Sequence, residues 1–219
     1  MKTYRALARL MDYPTPELIA ALPELRRVVT AEKMLPQDSC NAVFALMDEL
    51  ATGDLIDRQA VHLALFDRVR SLSLHLFEHV HGDARSRGKA MLDLVELYER
   101  HGFDVTAKEL PDYLPLVLEF LSLMPFDVAR EHLAETTPIL SRIHARLEKR
   151  GSAYAALFTA LMKIAAIRIA PIDPEPEIDE ESPAAIDRAW EEADVTFGAS
   201  PPVADTSCAG ATPAQFTAR

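Results

Sequence analysis

The chain has 219 residues and a mass of 24.3 kDa, room for one domain with an appendage and for a core that needs no disulfide framework. Its net charge of −11 argues against a nucleic-acid binder, which requires a basic face, and its 7 glycines weigh against folds built on tight β turns or glycine-rich phosphate loops. The two cysteines, Cys40 and Cys208, fit a reducing compartment and cannot make a four-thiolate zinc site.

Apolar residues recur at spacings of three and four through the first 170 positions, so the expectation is all-α. Tyr4, Leu7, Ala8, Leu10 and Met11 mark a first helix that stops before Pro14. Thr15 followed by Pro16 reads as an N-cap with proline at the first helical position, opening a helix that Pro23 kinks or divides. Pro36 opens the next, with the stripe Val43, Phe44, Leu46, Met47 and Leu50, ending near Gly53. Asp54 caps a helix through Leu65 and Phe66, and Leu72 to Val80 continue as a second apolar stretch.

Gly82 interrupts, Asp83 caps a helix that Gly102 terminates, and 103–111 form a loop bounded by Pro111. Helices follow at 113–124, 127–135, 138–150 and 152–169, capped by Asp127, Thr137 and Ser152. Residues 1–170 therefore read as a single all-helical bundle domain. Residues 171–219 carry 11 acidic and 2 basic side chains and the prolines 171, 174 and 176, and read as a largely disordered acidic tail. Within that tail a short helix near 183–193 shows Ile186, Ala189 and Trp190 on one side.

No apolar run approaches the roughly 20 residues that span a bilayer, and Lys2, Arg5 and Arg9 break up any signal-peptide core. This gives a soluble cytoplasmic protein without membrane insertion. For chemistry, His75 and His79 would share a helical face with Glu78 and His81 nearby, but no further ligand follows at metal-site spacing. Ser71, Ser73 and Cys40 lack the setting of a nucleophile. The residues point to a binding or scaffolding role, with no catalytic residue, cofactor or metal, over a histidine-based metal enzyme.

Two stretches are distinctive. Leu65-Phe66-Asp67-Arg68, Ser71-Leu72, Leu76-Phe77-Glu78-His79-Val80-His81-Gly82, Arg85, Arg87-Gly88 and Met91 form the first, and Glu109-Leu110-Pro111-Asp112-Tyr113-Leu114-Pro115 with Leu118-Glu119-Phe120 the second. Together they resemble the signatures of the NarJ family of nitrate reductase molybdenum cofactor assembly chaperones, also called delta subunits, within the redox-enzyme maturation chaperones. Trp190-Glu191-Glu192 and Val195-Thr196-Phe197 are similar to a tail element of the same branch. His62 stands where the family usually has tyrosine, and Tyr113 where many relatives have histidine.

The resemblance implies an all-helical cytoplasmic chaperone. It would bind the N-terminal segment of the apo catalytic (alpha) subunit of respiratory nitrate reductase and support iron-sulfur and molybdenum cofactor insertion before membrane docking. A chaperone for another molybdoenzyme is the alternative within the class. By the same resemblance, His62, Leu65 and Phe66 would form one wall of a client-peptide groove, Phe77 and Glu78 its floor and edge, and Pro111, Asp112 and Tyr113 the clasping loop. Read from the residues alone, Leu65, Phe66 and Phe77 fit a closed core equally well, whereas Asp112 in a proline-bracketed loop reads as exposed.

Overall fold

A computed structural model of the chain describes residues 1–80, 84–105 and 109–165, and these contain eight α-helices and no strand. The expected tail, its short helix, Asp83 and His81 lie outside the described residues.

Helix α1 (Lys2–Met11) is apolar on most of its circumference and is correspondingly central: Thr3, Tyr4, Ala6, Leu7, Ala8, Leu10 and Met11 are all buried. It packs chiefly on α6 (Leu114–Leu123), another helix buried nearly all round, and on α2 (Pro16–Glu32). Helix α3 (Gln37–Ala51) lies against α2 and against the last helix, α8 (Ala155–Ile164), which in turn packs on α7 (Phe126–Lys149). Helices α4 (Leu55–Phe66) and α5 (Ala84–Arg100) frame the connecting segment that carries the first distinctive stretch.

The N-terminal punctuation of α2 and α4 is as the sequence indicates. Thr15 Oγ1 accepts the Leu18 N–H at 3.2 Å with Pro16 in the first turn, and Asp54 Oδ1 accepts the Ile56 N–H at 2.8 Å. Gly151, at φ +63°, occupies the left-handed conformation that ends α7. Pro23 lies inside α2 without dividing it.

Three expectations are corrected. The helices expected at 127–135 and 138–150 are one, α7, with Pro138 in its interior and Thr137 as an ordinary helical residue. Ala129, Leu133, Thr137, Leu140, His144 and Leu147, at spacings of four and three, form a single buried stripe across the proline. Burying large side chains along that face contributes about 1.5–3 kcal/mol each, enough to outweigh the ~3 kcal/mol penalty of an interior proline. The helix starts at Phe126, one residue ahead of the expected Asp127 cap, and Ser152 lies in a turn before α8 instead of capping it.

The third correction concerns 67–80, which is not helical beyond the two short 3₁₀ turns Arg70–Leu72 and Leu76–His79. Its backbone pairs instead with the loop before α6: Leu76 N–H donates to Asp112 O at 3.1 Å and Leu114 N–H to Leu74 O at 2.8 Å, with His75 bridged to Tyr113 in antiparallel fashion. Leu72, Leu74 and Leu76 are buried at every second position, the period of an extended chain.

Candidate functional site

The extended segment 67–77, the end of α4 and the loop 109–113 enclose a cavity of about 550 Å³. Its apolar wall is an aromatic cluster: the His62 ring lies 5.0 Å from Phe66 and 5.7 Å from Tyr13, and Tyr154 stacks edge-on against both His62 and Phe66. His62 is held by its Nε2–H, which donates to Met11 O at 2.9 Å, the carbonyl being able only to accept. Its Nδ1 is buried with no hydrogen-bond partner among the described residues. Burial is the main influence on this imidazole and lowers its pKa, keeping it neutral.

The opposite wall is built by a buried carboxylate. Asp112 is completely shielded from solvent; its Oδ2 accepts the Phe77 N–H at 3.0 Å and its Oδ1 faces His75 Nδ1 at 3.3 Å. The hydrogen bond to Asp112 raises the His75 pKa, with burial opposing. The His75 ring then tilts over Tyr113, 5.3 Å between centroids, and both rings face the cavity. The Tyr98 hydroxyl donates to Pro111 O at 2.7 Å and pins the loop from behind.

The rim carries both signs. Glu78 and Glu109 with Asp67 supply negative charge, and Arg68 and Arg70 positive charge, while Glu78 is fixed by Arg87 at 3.1 Å. Near Tyr113, burial pushes the Asp12 pKa up to about 6 in spite of its 2.7 Å contact with Arg9. On the far side of the segment, His79 Nε2–H donates to Ser73 O and Arg146 donates to Ser71 O, tying it to α7.

Of the residues expected to form a groove, His62, Phe66, Glu78 and Tyr113 line this cavity together. Leu65 and Phe77 pack into or against the core, and Pro111 and Asp112 stand behind the wall. Asp112 is thereby corrected from an exposed rim residue to a buried one, because its carboxylate turns inward to accept the Phe77 N–H and to face His75. Tyr13, His75 and Glu109 also line it and are not among the binding residues expected from sequence. His75 and His79 do not share a helical face, and among the described residues no three His, Cys, Asp or Glu side chains converge as metal ligands. No described helix is long and apolar enough to cross a membrane.

Comparison with known proteins matches residues 9–160 to the family described as nitrate reductase delta subunit. The chain belongs to that family. It is 41% identical over 205 residues to the nitrate reductase molybdenum cofactor assembly chaperone NarJ of Escherichia coli K12, covering 92% of this chain and 87% of that protein. It is 35% identical over 201 residues to the probable assembly chaperone NarW of the same strain, covering 90% and 84%, respectively. Similarity to the probable chaperone NarJ of Bacillus subtilis is 31% over 167 residues, 73% of this chain and 86% of that one. The delta-subunit match spans both distinctive stretches, and with them the whole cavity.

Proposed function

We propose that this delta-subunit family member is a cytoplasmic, non-enzymatic chaperone dedicated to a respiratory nitrate reductase. It holds the N-terminal segment of the apo catalytic subunit in the cavity between α4 and the 109–113 loop. There it keeps the apoenzyme open for iron-sulfur and molybdenum cofactor insertion and delays docking on the membrane subunit. The observation that carries this reading is the concave aromatic wall with a rim of both charges, in a chain whose relatives are named as nitrate reductase assembly chaperones.

The physical chemistry supports it. A helix laid in an apolar groove is a recurrent mode of peptide capture, and about 550 Å³ lies within the usual range for a specific pocket. Rim carboxylates at Glu78 and Glu109 supply register and on-rate toward basic residues of a client peptide. Co-purification from nitrate-grown anaerobic cells tests the reading: a large molybdoenzyme subunit, identified as the nitrate reductase catalytic chain, should accompany this protein and be lost from a Tyr113→Ala, Glu109→Lys variant. Recovery of another molybdoenzyme in its place would contradict it.

A further inference from the structure

A second concavity, away from the aromatic site, lies between α2 and α3. It has a volume of about 800 Å³ and is walled by Ile19, Leu22, Pro23 and Ala31 from α2 and by Met47 and Ala51 from α3. The groove exists because short side chains meet there: Ala31, Ala51 and the Pro23 ring leave open space that longer residues would fill. Arg26 and Arg27 stand along the α2 side with Asp48 opposite. Arg26 is stacked on Phe44, 4.7 Å from ring centre, and paired with Asp48, while Arg27 makes an exposed pair with Glu24, of the kind that contributes little.

The sequence holds a segment of matching character. Residues 166–219 lie outside the described residues, and among them Ile186, Ala189 and Trp190 are spaced to form one apolar helical stripe in a stretch otherwise rich in acids. The charge distinguishes the two concavities. The aromatic site presents three carboxylates, Asp67, Glu78 and Glu109, against the two guanidinium groups of Arg68 and Arg70, an acidic excess of one, whereas the α2–α3 groove presents two guanidinium groups, Arg26 and Arg27, against the single carboxylate of Asp48, a basic excess of one. The chain beyond Ala165 follows α8, which packs on α3, the helix that forms one wall of the groove. The 18 residue steps from Ala165 to Pro183 reach up to about 60 Å when extended, so length does not restrict the docking.

We propose that the groove between α2 and α3 is the docking site of this chain's own residues 183–193, with the Trp190 indole seated on the apolar floor and the neighbouring acids facing Arg26 and Arg27. Tethering supplies an effective concentration near the millimolar range, so even a weak contact is populated.

Trp190 is the single tryptophan, which makes its fluorescence a direct readout in the full-length protein. The expected result is a blue-shifted emission poorly quenched by acrylamide. Ala31→Glu and Ala51→Glu, both at exposed helical positions, should each shift the emission to the red and raise quenching several-fold, with helix content and melting temperature little changed. Trp190 quenched in the wild-type chain as fully as in urea would overturn the proposal. So would protection unaffected by both substitutions, or protection that grows with protein concentration, which would assign the groove to a second copy's tail.

Discussion

Asp112 Oδ1 and His75 Nδ1 lie 3.3 Å apart, with the Asp112 side chain wholly shielded from solvent and its second oxygen accepting the Phe77 N–H. The carboxylate adds these two side-chain contacts to the backbone pairing that joins the two segments, and so braces the wall of the cavity. Removing it leaves the Phe77 N–H and the His75 ring without their acceptor. Asp112→Ala should therefore lower unfolding free energy by about 2–4 kcal/mol, as a buried donor left unpaired costs about 1–3 kcal/mol by itself. Urea denaturation checks this; unchanged stability with weakened peptide binding would return Asp112 to the rim.

The same pair sets a pH dependence. The His75 pKa is raised in the fold, chiefly by the hydrogen bond to Asp112 and in spite of burial, with Glu78 reinforcing and Arg87 opposing. A group whose folded pKa is raised contributes stability that is complete below its unfolded value, about 6.5, and lost as pH rises through the folded value. The stability difference between wild type and His75→Gln should thus be larger at about pH 5.5 than at about pH 8. Using a difference matters because His62 and His79 are lowered by burial and destabilise the fold of both proteins as the pH falls. A difference independent of pH would mean that the ring is not charged against Asp112.

Phe66 is only 8% exposed and packs edge-on against Tyr154, so it serves the core as well as the cavity. Phe66→Ala should lower stability by about 3 kcal/mol or more. An open groove residue would cost much less, and a chemical denaturation curve close to wild type would place Phe66 in that class.

Glu109 is exposed on the cavity rim. Glu109→Lys should leave the melting temperature nearly unchanged and weaken binding of a basic client peptide, most strongly at low salt, where charge is least screened. Equal affinity across a salt series would remove Glu109 from the interface.

The described core runs through α8 to Ala165, with Leu157, Phe158, Leu161, Met162 and Ile164 all buried. A chain ending near Ala170 should remain helical and melt cooperatively. Aggregation or loss of the helical circular dichroism signal would show that the tail is part of the fold.

How far the sequence foretold this molecule differs by element. Thr15 and Asp54 announce α2 and α4 because capping is local chemistry, and the dense apolar spacing of α1 and α6 announces burial. The joining of α7 across Pro138 was also visible, as a stripe of fours and threes running through it, but the local rule for proline masked it. Leu72, Leu74 and Leu76 alternate with Ser71, Ser73 and His75, the signal of an extended segment, hidden in a chain otherwise periodic at 3.6. The role of Asp112 had no local signal at all. Its partners are 35 and 37 residues away, and only the pairing of segments brings a carboxylate to the Phe77 N–H.

The claim that the aromatic cavity is the client site is tested most directly by titrating the isotopically labelled protein with a peptide matching the N-terminus of the nitrate reductase catalytic subunit and mapping the amide shifts. The largest changes should fall at His62, Phe66, His75, Glu78, Glu109 and Tyr113, which line one cavity from three separate segments. Saturable binding with shifts confined to the α2–α3 groove, or no binding at all, would contradict the account.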